Sequence, residues 1–234
     1  MQAVDKSRFL VIAGLVMILY AATAFAAVSL VQPARFESFV KPLALVHMVA
    51  GMGWLVLFFS QARLAHRGEI ARHRNRMNVA IAVVAVLSVT SIIIVYQVGF
   101  AARVLGESRD ALGFAILFAF ALRQAHKGDI ESHKRLMLIA SLNLINPANM
   151  RVPIIFDWPP PTSLPITLTC WVAVPIAHDL ITQRKVHRAT AYGVGFTLIT
   201  FAIVVAVIFS PLMPVIETWL YGPGGNFAPG LTRS

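Results

Sequence analysis

Two stretches of this chain, AHRGEIARHRNRM at 65–77 and AHKGDIESHKRLM at 125–137, each carry two histidines seven residues apart. The second begins sixty positions after the first and keeps its histidines, glycine, acidic residue, isoleucine and methionine. Neutral imidazole is a common ligand for transition metals and for haem iron. Within one helix a seven-residue separation holds two side chains about 10 Å apart, too far to share one ion. A shared ion therefore needs histidines from different copies. Duplication pairs His73 with His133 and His66 with His126, and His178 is a further candidate. The expected cofactor-binding set is His47, His66, His73, His126, His133 and His178. Of these, His73, His133 and His178 are the expected metal ligands, and the group held is haem b or a transition metal. In the plainer reading, amphipathic imidazoles sit among arginines at the headgroup level and bind nothing. The spacing matches neither a zinc-protease nor a zinc-finger pattern, so only the duplication strengthens it.

His47 stands apart, in HMVAGMGW, where Gly51 and Gly53 allow a helix or a flat ring to approach. A histidine inside a membrane span is expensive without a partner, which makes it a functional candidate; one hydrogen bond would also satisfy it. Its sixty-residue counterpart is Glu107, so no second histidine site follows. The other anomaly is NLINPANMR at 143–151. Asn143, Asn146 and Asn149 recur every three residues and share one side of a helix, with Arg151 just beyond. That side must face protein, water or a ligand: it is either interhelical glue or a polar path for a substrate or proton.

The elements that carry these residues belong in lipid. Hydrophobic residues make up 58% of the 234 and charged residues only 13%, against roughly a quarter charged in soluble domains. The apolar runs predict an all-α bundle of seven spans, at about 9–31, 42–62, 77–100, 111–125, 136–155, 164–180 and 189–207. With the N-terminus inside, the inner segments hold Lys6, Arg8, Arg63, Arg67, Arg72, Arg74, Arg76, Arg123, Lys127, Lys134, Arg135, Arg184, Lys185 and Arg188. These are 14 of the 20 basic residues, so the net charge of +10 reads as a positive-inside topology signal rather than a nucleic-acid surface. The location implied is a bacterial inner membrane, N-terminus in and C-terminus out. Residues 1–26 have a rival reading as a signal peptide, with AFA at 24–26 as the cleavage site; the apolar run continues to Val31, which favours a retained span. Cys170 is the single cysteine, so no intramolecular disulfide forms.

Each histidine stretch lies between two spans, so the predicted units, 42–103 and 104–163, are parallel two-helix repeats about an axis along the membrane normal. Gly68 and Gly128 suit the left-handed position after a helix end, and Glu69 and Asp129 suit the start of the next helix. A single bundle over 1–220 and a flexible outer tail at 221–234 complete the expected organisation.

The string HKRLMLIASLNLINPANMRV at 133–152 resembles one in uncharacterised bacterial multi-spanning membrane proteins, in which a His-Lys/Arg-Arg-Leu-Met stretch opens a late helix. That resemblance implies a membrane bundle and transfers no activity. The upstream copy departs from it, with Asn75 and Arg76 where the later copy has Arg135 and Leu136. A looser likeness to cytochrome b561-type bundles rests only on histidines among helices. The leading expectation is a haem- or metal-binding membrane protein with an electron-transfer role, and quinone or other membrane subunits as partners. The alternatives are a small transporter along Asn143, Asn146, Asn149 and Arg151, and an accessory subunit of a larger complex.

Overall fold

The computed structural model describes residues 5–33, 41–97 and 100–222, and every regular element among them is helical. In chain order these are α1 (Asp5–Val31), α2 (Pro42–His66), α3 (Ile70–Asn75), α4 (Met77–Gln97), α5 (Ala101–His126) and α6 (Ile130–Leu144). Then follow α7 (Asn146–Asn149), α8 (Val152–Phe156), α9 (Ser163–Leu168), α10 (Val174–Gln183), α11 (Arg188–Ile208) and α12 (Leu212–Tyr221). A 3-10 turn at Pro160–Thr162 precedes α9, and a π-turn at Thr169–Ala173 joins α9 to α10.

Five stretches among the described residues are long and apolar enough to cross a membrane: Arg8–Val31, Pro42–His66, Ile70–Gln97, Pro160–Gln183 and Arg188–Ile208. The fourth and fifth of the seven predicted spans are not among them. The fourth starts ten residues earlier than predicted, and α5 is long enough at 26 residues, about 39 Å. It carries Arg103, Glu107, Arg109, Asp110 and Arg123, so hydropathy does not select it. The fifth is broken. Pro147 cannot donate a backbone hydrogen bond, and the chain passes from α6 through the short helices α7 and α8 instead of one rod. Helix α12 was not foreseen in the sequence; its Tyr221 hydroxyl donates to the Tyr96 carbonyl at 3.0 Å. Of the predicted tail at 221–234, Tyr221 closes α12, and the residues after Gly222 lie outside the described residues.

The arrangement is inside-out relative to a water-soluble domain. Val16, Leu19, Val49, Val56, Val86, Val89, Ile199 and Ile203 are exposed, while Arg109, Arg135, Asn143, Asn149 and Asp179 are buried. An exterior of this kind suits hydrocarbon. Helices α2, α4, α5 and α6 pack around a shared centre, with α1 against α2 and α11 against α5 and α6. At that centre the Trp54 ring meets Phe114 edge-on at 4.8 Å and Phe118 at 5.4 Å. Its indole N–H donates to Ser141 Oγ at 3.1 Å.

Close helix contact depends on Gly14. A Cβ there would stand 2.9 Å from the Phe59 Cα of α2, a backbone atom that cannot swing aside. Small residues at such crossings let membrane helices pack. Gly14→Ala should therefore lower the thermal midpoint of the detergent-purified protein, by an overpacking cost of about 1–3 kcal/mol. Gly53→Ala, where nothing lies within 4 Å of the added Cβ, should leave the midpoint unchanged or slightly raised, because alanine is the better helix former.

Candidate functional site

The two histidine hairpins close with the same backbone bonds. Arg67 and Lys127 N–H donate to the carbonyls of Arg63 and Arg123, and Glu69 and Asp129 N–H donate to those of Leu64 and Gln124. Gly68 and Gly128 take φ of 77° and 79°, the left-handed turn expected of them. The hairpins differ at the acid. Asp129 accepts from Ser132 N–H at 3.1 Å and from Ser132 Oγ–H at 2.7 Å, and these bonds hold its carboxyl below the usual range. Glu69 makes no capping bond and pairs instead with Arg72 at 2.6 Å.

Each hairpin folds its second histidine back onto the preceding helix. His73 Nδ1 lies 3.3 Å from the Gln61 carbonyl, and His133 Nδ1 lies 2.9 Å from the Ala121 carbonyl, again sixty residues apart. A carbonyl can only accept, so Nδ1 carries the proton in both rings and Nε2 holds the lone pair when the ring is neutral. Histidines that ligate metals show this arrangement, with the second ring nitrogen donating to a backbone carbonyl or carboxylate. The two rings lie close together, centroids 6.3 Å apart and planes perpendicular at 89°.

They line a cavity of about 410 Å³ at the hairpin end. Three sixty-residue pairs contribute to its wall: Phe58 with Phe118, His73 with His133, and Met77 with Met137. Trp54 and Arg74 also line it. So does His126, whose Nδ1 lies 2.8 Å from the Leu122 carbonyl. His66 ends α2 exposed and is not part of this wall.

His178 does not join the pair. It is buried against the Phe9 ring at 4.6 Å, with Nδ1 3.5 Å from the Asp179 carboxylate. Among the described residues no group of three or more His, Cys, Asp or Glu side chains is placed to hold a metal ion. The expected three-ligand set of His73, His133 and His178 is therefore not assembled. The reason is local: α10 carries His178 to a polar knot that the sequence reading missed. There Arg135, 2% exposed, donates through Nε to Asp179, 0% exposed, at 2.7 Å, and through Nη1 to Glu131 at 2.7 Å. Asp179 also accepts the His187 backbone N–H at 2.8 Å.

A second missed network surrounds the asparagines. Arg109 and its neighbour Asp110 form a buried ion pair, and the Arg109 guanidinium lies 4.4 Å from the centre of the Trp171 ring in the π-turn. Asn146 donates to Asp110 at 2.6 Å and accepts from Thr167 Oγ1 at 3.0 Å. Asn143 donates to Thr197 Oγ1 at 3.2 Å, and Asn149 accepts from the Tyr20 hydroxyl at 2.9 Å. These bonds join α1, α5, α6, α7, α9 and α11, as interhelical glue does. Arg151 lies apart from this network, donating to the Pro147 carbonyl and stacked 3.8 Å over Phe25. The signal for Arg109 and Asp110 was available in the sequence: extending the fourth span by one turn would have placed both inside it.

His47 lines a second cavity of about 380 Å³, between α1, α2, α4, α5 and the α6–α7 break. Glu107 and Arg151 line it as well. Trp54 borders the first cavity and its neighbour Leu55 borders the second, so the two stand back to back. In comparisons with protein-family models, curated proteins and solved structures, the chain has no match.

The Arg135–Asp179 pair yields a test of what the knot does for folding. Removing one partner of a buried pair strands the other charge, at a cost of about 3–5 kcal/mol. Arg135→Met should depress the thermal midpoint strongly, because buried Asp179 loses its cation, and Asp179→Leu should depress it less, because Arg135 keeps Glu131. The double variant should recover most of the loss, because neither charge is then stranded.

Proposed function

We propose that this chain is a seven-span bacterial inner-membrane protein that holds haem b between His73 and His133 and takes part in electron transfer. The observation that carries this reading is the close pair of imidazoles 6.3 Å apart. Two rings bound to one metal through nitrogens at about 2 Å each bring their centroids about 6 Å apart. The ligand count favours haem over a bare ion. Haem would supply four nitrogens of its own and ask the protein for few more, and His73 and His133 are the two imidazoles on the cavity wall that lie close together. The cavity, about 410 Å³, is also far larger than an ion needs and falls within the range of ligand pockets.

In this reading the chain's own groups divide the work. The carbonyls of Gln61 and Ala121 fix the ring tautomers. Trp54, Phe58 and Phe118 exclude water, and Arg74 supplies positive charge for the carboxylates of the ligand. Haem, when bound, supplies a reversible one-electron couple.

A second reading has its own support. Met77 and Met137 line the same cavity, and thioethers beside imidazoles suit copper(I). A polar path along Asn143, Asn146, Asn149 and Arg151 has less support, because all three asparagines bond to other side chains of the protein. The matched hairpin bonds, and the meeting of Trp54 with Phe114 and of His73 with His133, favour an internal parallel repeat.

Absorption spectroscopy with elemental analysis tests the site. Protein purified from cells replete in iron, copper and zinc should show a Soret band and one iron per chain. His73→Ala and His133→Ala should each lose most of the band, and His66→Ala should keep it. Stoichiometric copper without a Soret band would select the second reading; protein with neither haem nor metal overturns both.

Topology is tested by placing cysteine at Arg67 or Lys127 in a Cys170→Ser background. A membrane-impermeant maleimide should label both positions in inverted vesicles and neither in intact spheroplasts. Labelling of the two positions from opposite faces would dissolve the repeat and the paired histidines with it.

A further inference from the structure

The second cavity, about 380 Å³, is mostly apolar, walled by Met48, Met52, Leu55, Leu87 and Val95 among others. Its polar side chains are His47, Ser91, Glu107 and Arg151. Their states can be read from their partners. Thr90 Oγ1 lies 2.7 Å from the Val86 carbonyl and 3.3 Å from that of Leu87, so its one proton is committed within α4. Towards His47, at 2.9 Å, Thr90 can then only accept. His47 must carry its proton on Nδ1, which leaves Nε2 as a hydrogen-bond acceptor when the ring is neutral. Glu107 is tied to Arg103 through a short ion pair. Arg151 keeps a fixed positive charge on Phe25.

Gly51 on the cavity wall is what leaves the space open. A Cβ there would meet only Leu87 Cδ2, at 3.8 Å, so the backbone tolerates a side chain but the cavity does not.

We propose that this cavity binds the ring of a membrane quinol. Three features on the wall select that class. Most of the wall is apolar and belongs to helices that suit hydrocarbon, so a ligand dissolved in lipid is the one that reaches it. The imidazole Nε2 accepts from an O–H, and a guanidinium, with five N–H donors, gives to a hydroxyl oxygen; the ring of a quinol carries a hydroxyl at each end. A charged ligand fits less well, because Glu107 opposes an anion and Arg151 opposes a cation. The inference does not depend on the haem reading: it uses a different cavity and other residues.

The test is calorimetric titration of the purified protein in nanodiscs with decylubiquinol under argon, and separately with palmitate. One saturable decylubiquinol site per chain is expected. His47→Leu should weaken it by about tenfold, through loss of one hydrogen bond from the ring hydroxyl. Gly51→Leu should abolish it by filling the space. His47→Gln guards against a folding defect: it keeps a polar side chain beside Thr90, and its thermal midpoint should match the parent while affinity still falls. His73→Ala should bind decylubiquinol like the parent, so loss of the haem site and loss of this one are told apart. The proposal is overturned if the parent protein shows no saturable binding, or if Gly51→Leu binds as the parent does. It is equally overturned if palmitate binds and displaces decylubiquinol, which would make this a fatty-acid site.

Discussion

Polar groups buried beneath an exterior that suits hydrocarbon are costly unless they pair with one another. That constraint organises this molecule. Arg135 and Asp179 close on each other with Glu131 and the His187 backbone, and Arg109 and Asp110 close with the asparagines at the break between α6 and α8. Each knot ties helices that are distant in sequence. In lipid such ties do what the hydrophobic effect does in water, because an apolar surface gains little by leaving hydrocarbon for another apolar surface.

The break at α6–α8 follows from the same constraint. Proline removes a backbone donor, and in a membrane neighbouring side chains make good such a loss. Asn143, Asn146 and Asn149 stand at this break, each bonded across to another helix. A straight apolar helix would need none of them. The break also turns Arg151 away from the network and onto Phe25 beside the second cavity.

The two cavities stand on either side of the Trp54–Leu55 step, between helices that carry the duplicated hairpins. At the hairpin end the sixty-residue pairs are alike: histidine meets histidine and methionine accompanies methionine. At the other end they differ, with His47 against Glu107 and Ser91 against Arg151. A matched pair suits a group that accepts equal ligands from two sides. An unmatched pair suits a ligand that donates at one end and accepts at the other.

Much of this was written in local sequence. Long apolar runs declared the helices, and the glycine and acid of each hairpin declared the turns, because those depend on bonds between residues at most five apart. The sixty-residue offset named His73 and His133 as mates before any coordinates. What it left open was which histidines meet. His178 was grouped with them by its place near the same end of the bundle, yet it lies against Phe9 and Asp179. Arg109 fell outside the predicted fourth span at 111–125, yet it is buried over Trp171. Both outcomes turn on how far a helix extends and how it is rotated against its neighbours. Rotation is set by the sum of contacts from several helices, and no single stretch of the chain contains that sum.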